Sequence, residues 1–214
     1  MTRLTPRKQP KQRRAEETRE RILDAAARVF AEWGYSQGTT NRIAEAATVS
    51  VGSLYQYFPN KDSILVELVR RHVVAGAVLV AERLADVPDR SEARVRALVD
   101  AVVANHADAP RLHQVLFEEA PRPPELLAEL HELERAVVTA VASMLRADDT
   151  VDVPDVDMAA WLTVATVESL THRYVSSHPG ELDLDRFAAE LTRMVVAYLG
   201  GGTSGAPAAF QEER

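Results

Sequence analysis

The sequence contains no cysteine. That excludes disulfides, thiolate nucleophiles and cysteine-ligated metals, and it suits a reducing cytoplasm. No apolar run reaches the ~18 residues of a membrane-spanning helix. The basic N-terminus has no apolar stretch behind it, so it does not read as a secretory signal, and a cytoplasmic protein is expected. A phosphate loop ending in Gly-Lys-Ser/Thr is missing, because Gly200 to Gly205 carries no lysine, and no Gly-x-Ser-x-Gly nucleophile turn occurs. His131-Glu132 lacks the second histidine of a zinc-protease helix, since position 135 is Arg135. His106, His113 and Glu118 have the residue types of a metal site but loose spacing. No enzyme activity, cofactor or metal is therefore expected. Sustained period-two alternation is also missing, which argues against a sheet.

What is present is a chain of 214 residues, 46% apolar, enough for a real core. Its net charge of −7 is unevenly spread: residues 1–62 carry +4 and residues 63–214 carry −11. A basic end on an acidic body suits a nucleic-acid module whose body is repelled by the polyanion. Residues 1–15 hold Arg3, Arg7, Lys8, Lys11, Arg13 and Arg14, two prolines and no acid. They read as a disordered basic arm, either a solubilising tail or a reach toward phosphates.

Helical periodicity runs through the rest. Ile22, Ala26, Val29, Phe30 and Trp33 make one stripe from Glu16 onward, ended by Gly34. Thr39 or Thr40 can cap a short helix carrying Ile43, Ala44 and Ala47. Thr48-Val49-Ser50 make a turn, and Ser50 can cap a second short helix stopped by Pro59-Asn60. A long helix follows from Asn60 or Asp62 to about Leu84. Further helices are expected over 91–107, over 110–119, from Pro123 or Pro124 to about Arg146, from Asp155 or Asp157 to near His178, and from Asp183 or Asp185 to Gly200. The fold class is all-α, with about nine helices. The expected organisation is an arm (1–15), a helix-turn-helix domain (16–62), a ligand-binding and dimerisation domain (63–200) and a flexible tail (201–214).

The two short helices joined by a turn have the build of a helix-turn-helix. At ~100° per residue, Leu54 and Phe58 share the inner side of the second helix, and Gly52, Ser53 and Gln56 lie opposite. A carboxamide such as Gln56 can bond both adenine edge atoms, and Ser53 can reach a base edge or a phosphate. Gly52 costs ~1 kcal/mol inside a helix, and in return the backbone can approach the groove. Tyr55 and Tyr57 fall on the flanks, where hydroxyls can meet phosphates on either wall. Thr40 and Lys61 add phosphate contacts, and Arg42 a base or phosphate contact. Ser50 and Val51, opening the helix, complete the DNA-binding set. Spacing alone leaves a second reading open, a purely structural helix pair with half-buried tyrosines.

The stretch Ile22 to Leu65 resembles the N-terminal domain of the tetracycline-repressor (TetR) family. The residues that carry the resemblance are Ile-Leu-Asp-Ala-Ala…Phe-Ala-Glu-Trp-Gly-Tyr, then Thr-Thr…Ile-Ala-Glu-Ala-Ala, then Val-Ser-Val-Gly-Ser-Leu-Tyr-Gln-Tyr-Phe-Pro-Asn-Lys-Asp. Thr48 departs from it, since the family usually has glycine at that turn, and a β-branched residue disfavours a left-handed backbone. The resemblance implies a homodimer paired through its last two helices as a four-helix bundle. It also implies a palindromic operator in double-stranded DNA, and repression relieved by a small molecule in the C-terminal domain.

The C-terminal half is less explicit. Met158, Trp161, Leu162, Ala165, Val167 and Leu170 spread round one helix. Phe187, Leu191, Met194, Val195 and Tyr198 stripe the next, more apolar surface than one face needs. His113 and Phe117, an i, i+4 pair, together with Trp161, Glu168 and His172 on one later helix, are the expected ligand-pocket residues. The Glu168–His172 pair is either a polar ligand holder or a surface ion pair. Three functions remain: a ligand-responsive regulator, an enzyme using the helical body, and a DNA-binding module without a ligand.

Overall fold

The computed structural model describes residues 10–85, 87, 91–177 and 183–200, and among these it contains nine α-helices and no strand. The all-α expectation holds. Arg3, Arg7 and Lys8 of the expected arm, the expected tail 201–214 and the stop at His178-Pro179-Gly180 lie outside the described residues.

The first helix, α1, spans Pro10–Gln37. It starts six residues before Glu16, so residues 10–15 of the expected disordered arm are helical. Proline suits a first helical turn, and the Arg, Ala, Gln and Glu that follow are good helix formers. Arg13 and Glu17 add an i, i+4 ion pair at 3.3 Å. Gly34 breaks α1 with φ 68° and ψ 175°, a conformation open to glycine. A Cβ there would stand 2.8 Å from Glu119 Oε2, so the break also admits a close neighbour from the second half of the chain.

Helices α2 (Thr40–Ala46) and α3 (Val51–Tyr57) follow, then the long α4 (Lys61–Ala85). Their caps are those the sequence offers. Thr39 Oγ1 accepts from Arg42 N at 3.3 Å, Ser50 Oγ from Ser53 N at 3.0 Å, and Asn60 Oδ1 from Ser63 N at 2.8 Å. The turn between α2 and α3 is not remodelled by Thr48. Val49 N donates to Ala44 O and Thr48 N to Glu45 O, both at 3.0 Å, and Thr48 takes φ 56°. That is a Schellman C-cap with a β-branched residue in the left-handed position where glycine belongs. Thr48→Gly is therefore expected to raise the unfolding free energy by about 0.5–1 kcal/mol, the relieved strain less the entropy glycine adds to the unfolded chain. An unchanged urea midpoint would show that the position carries no strain.

The body comprises α5 (Ser91–Ala107), α6 (Pro110–Gln114), α7 (Pro124–Arg146), α8 (Val156–Ser177) and α9 (Leu184–Leu199). Helix α6 continues directly into one π-helical turn, Val115–Glu119. Asp155 Oδ1 caps α8 through Met158 N, and Asp183 Oδ1 caps α9 through Arg186 N, each at 3.0 Å.

The buried residues form two cores. One lies in the body, built from Val95, Val99, Ala142, Leu145, Ala159, Val167, Leu191 and their neighbours. The other is built on Ile22, Phe30, Ile43, Leu54, Ile64 and Leu65, and it also takes in Val115, Leu116 and Leu126. The core beneath the helix-turn-helix thus crosses residue 62 and is completed by the π-helical turn and α7.

Candidate DNA interface and buried histidine cluster

Helix α3 is anchored by Leu54, fully buried, and Phe58, 4% exposed at its C-cap. With those two inward, Gly52 and Gln56 stand exposed and Ser53 half-exposed, as the helical spacing predicts. Ser50 and Ser53 hydroxyls bond each other at 2.8 Å, and Val51 is exposed beside them. The two tyrosines differ. Tyr55 is exposed and its hydroxyl meets Thr40 Oγ1 at 3.2 Å, which ties α3 to the start of α2. Tyr57 is half-buried against the core. Arg42 is held by cation–π attraction, its guanidinium carbon 3.8 Å from the centre of the Trp33 ring.

Lys61 is committed inward. Its ammonium donates to the Tyr35 carbonyl at 2.8 Å and lies 4.0 Å from the Tyr35 ring centre. The Tyr35 hydroxyl in turn donates to Asp62, and burial, then that carboxylate, hold the phenol above its ordinary range. Tyr35 N donates to Glu119 Oε2 at 3.2 Å, and Glu119 is also bonded by Arg111. One residue just past the α1 break therefore touches both the first turn of α4 and the end of the π-helical turn. Tyr35 falls in the run that carries the family resemblance, but no sequence signal marked Glu119 or the pairing of the two, which lie 84 positions apart.

Nothing stands over Gly52: a Cβ there meets only Ser50 Oγ, at 4.0 Å. Gly52→Ala is accordingly expected to stabilise the free protein by up to ~1 kcal/mol while weakening operator binding. A variant that is more stable and binds DNA unchanged would show that no backbone approach occurs there.

The second site gathers histidines. His113 of α6 lies 4.3 Å (ring centroids) from His106 of α5, 5.0 Å from His72 of α4 and 4.8 Å from His172 of α8. Phe117, in the π-helical turn, stacks on His113 at 4.5 Å. His113, Phe117 and His172 thus come together as expected, although Pro110 between His106 and His113 gave no reason to place those two on one face. His72 was missed altogether, because nothing around it in the sequence marks it. Burial, then the charge of neighbouring histidines, pushes His72 down to about 4 and His113 down to about 2. His172 is also lowered, chiefly by burial.

Two expectations need correcting. Glu168 and His172 do not pair with each other. Glu168 Oε2 lies 3.3 Å from His106 Nε2, and His172 Nε2 lies 3.2 Å from Glu118 Oε1. Partners on α5 and the π-helical turn are closer than the next turn of α8. Trp161 lies two turns from Glu168 and stands 47% exposed, outside the ring cluster. Like Met158, Leu162 and Leu170 of α8 and Met194 and Tyr198 of α9, it is an exposed apolar side chain.

A helix-turn-helix with an exposed recognition helix, bonded through one tyrosine to a helical body with its own buried cluster of histidines, has the build of a DNA-binding regulator. Comparison with known proteins agrees. Residues 22–68 match the family described as "Bacterial regulatory proteins, tetR family", and residues 92–199 match "Tetracyclin repressor-like, C-terminal domain". The chain belongs to the tetR family of transcriptional regulators. A transcriptional activator, FasR of Mycolicibacterium smegmatis, is 28% identical over 90% of this chain and 85% of its own. HbdR of Aromatoleum sp. is 50% identical over 50 residues, and the Fatty acid metabolism regulator protein of Bacillus subtilis 47% over 49 residues. Those two matches span only 22% and 25% of the relatives' lengths. Among solved structures, a tetR-family protein from Rhodococcus RHA1 superposes with a TM-score of 0.71 at 23% identity, covering 86% of this chain and 97% of that one. FadR from Bacillus subtilis in complex with stearoyl-CoA gives 0.67 at 21% identity, covering 84% and 98%. These likenesses establish the fold.

Proposed function

We propose that the protein represses transcription as a homodimer on a palindromic operator and lets go when a small molecule binds at the histidine cluster between α4, α5, α6 and α8. The observation that carries this reading is the chain of bonds from the histidine cluster to the DNA domain. His113 and Phe117 belong to that cluster on α6 and its π-helical turn, and that turn ends at Glu119, which holds Tyr35. Tyr35 is fastened to Lys61 and Asp62 at the root of α4, immediately after α3. A ligand that displaces α6 moves Glu119, and with it the recognition helix. Release requires the ligand to prefer the displaced state.

Dimerisation is supported by the number of exposed apolar side chains on the last two helices: Met158, Trp161, Leu162, Leu170, Met194 and Tyr198 are each at least 37% exposed, and covering them against a second copy would remove that surface from water. The DNA contacts follow from α3: Gln56 and Ser53 toward base edges, the Gly52 backbone close to the groove, and Thr40, Ser50, Val51 and Tyr55 around them. Arg42, Tyr57 and Lys61 steady the frame. Two of the structurally similar regulators were solved with acyl-coenzyme A ligands, stearoyl-CoA and isovaleryl-CoA, so acyl-CoA thioesters are the first effectors to titrate.

The test is operator selection from random DNA with wild type and Gln56→Ala. Wild type is expected to select an inverted repeat. The variant should lose ~1–3 kcal/mol of discrimination at one base pair per half-site and keep the rest. An unchanged preference at every position would show that Gln56 does not face the bases.

A further inference from the structure

The geometry points to a binding site for one divalent transition-metal ion of the zinc, nickel and cobalt class, held by His72, His106 and His113. Each of the three offers a ring nitrogen, and these atoms all lie within 4.8 Å of one another. They come from three different helices, α4, α5 and α6. Metal–nitrogen bonds of about 2.0–2.1 Å need the donors closer than that, a distance small side-chain rotations can close.

Three details favour an ion over a plain cluster of rings. First, His106 Nδ1 lies 2.9 Å from the Val102 carbonyl, which can only accept, so Nδ1 carries a proton. In neutral His106 the Nε2 lone pair then faces Glu168 Oε2 at 3.3 Å. A lone pair and a carboxylate that close need a cation between them, a proton or a metal. Second, His113 is 3% exposed, and its buried Nδ1 has no hydrogen-bond partner. Such an orphan is costly unless something coordinates it. Third, Asn105 meets the His72 ring at Nε2, at 3.2 Å, and sits in space left by Gly76, where a Cβ would come within 2.8 Å of the amide. With the amide turned so that its oxygen faces the ring, Nε2–H donates to Asn105 and the Nδ1 lone pair of His72 is left for the ion, the arrangement that orients metal-bound histidines.

The chemistry of the donors sets the class. Neutral imidazole is the ligating form. Imidazoles with a carboxylate beside them suit zinc, nickel and cobalt, and no thiolate is available to favour softer ions. An ion here joins α6 to α4 and α5, and α6 leads into the turn that ends at Glu119.

The test uses the full-length, untagged protein after chelator treatment, titrated with zinc by calorimetry and with cobalt by visible absorption. The expected result is one ion per protomer and a low-coordinate cobalt spectrum. His72→Asn and His113→Asn should abolish both. His131→Asn, an exposed residue of α7, should change neither. Glu168→Gln, at a side chain 52% exposed, leaves the core intact and should weaken binding by about tenfold or more. This variant keeps the test decisive if the buried substitutions unfold. Failure of wild type to bind either ion at micromolar concentration overturns the site, and so does equal affinity in wild type and Glu168→Gln. The inference stands apart from the regulatory reading. A protein that binds operator but no ion overturns only the site, and one that binds an ion but no DNA overturns only the reading.

Discussion

Replacing Trp161 and Met194 together with aspartate is expected to give a folded monomer that binds operator on the order of a thousandfold more weakly. Both side chains are nearly half exposed, at 47% and 46%, so the protomer's own core does not depend on them. In a dimer bundle they would be covered, and four buried carboxylates across a two-fold interface have no counter-charge in an apolar setting. Each monomer would then read one half-site. Joining two weak contacts in one molecule raises affinity by about 10²–10⁴ without any new bond, and that factor is what the monomer forfeits. Sedimentation should show a single species near the chain mass of 23.6 kDa, with an unchanged far-ultraviolet helix signal. A double variant that still sediments as a dimer would place the interface elsewhere.

Between pH 7 and pH 5, the metal-free protein should lose about 2–4 kcal/mol of stability. In the unfolded chain His72 and His113 titrate near 6.5. In the fold, burial and the charge of adjacent histidines depress them to about 4 and about 2. Below pH 6.5 the unfolded chain therefore takes up protons that the native protein refuses. Each such group favours unfolding by about 1.4 kcal/mol per pH unit, roughly 2 kcal/mol apiece at pH 5. Above pH 7 both states are neutral there, and the effect vanishes. Glu118, whose carboxyl is held below the usual carboxylate range by the polar side chains around it, acts only at lower pH, as carboxylates begin to protonate. Urea unfolding at pH 7 and pH 5 measures the loss. The slope should flatten in His72→Asn combined with His113→Asn, and an equally steep slope there would assign it to other groups.

The local parts of this fold were legible because they rest on local chemistry. Thr39, Ser50, Asn60, Asp155 and Asp183 cap helices as hydroxyls, amides and carboxylates do. The inward pair Leu54 and Phe58 orients α3, so the outward set followed from the helical period. The start of α1 did not follow, because prolines and like charges hid good helix formers. Long-range pairings were out of reach. Sequence spacing placed Glu168 beside His172, but Glu168 meets His106, which lies 62 positions earlier. Trp161 looked like a pocket residue because an aromatic on a largely apolar helix carries no mark of which side is covered.

The shared core has a consequence for exchanging recognition specificities. Because Val115, Leu116 and Leu126 pack with Ile22, Phe30 and Leu54, the DNA reader is not a cassette that ends at residue 62. A chimera cut there would set a foreign surface against α6, its π-helical turn and α7. The transplantable unit is discontinuous: the first four helices together with residues 111–126, which both fill that core and carry the Arg111–Glu119 clasp on Tyr35.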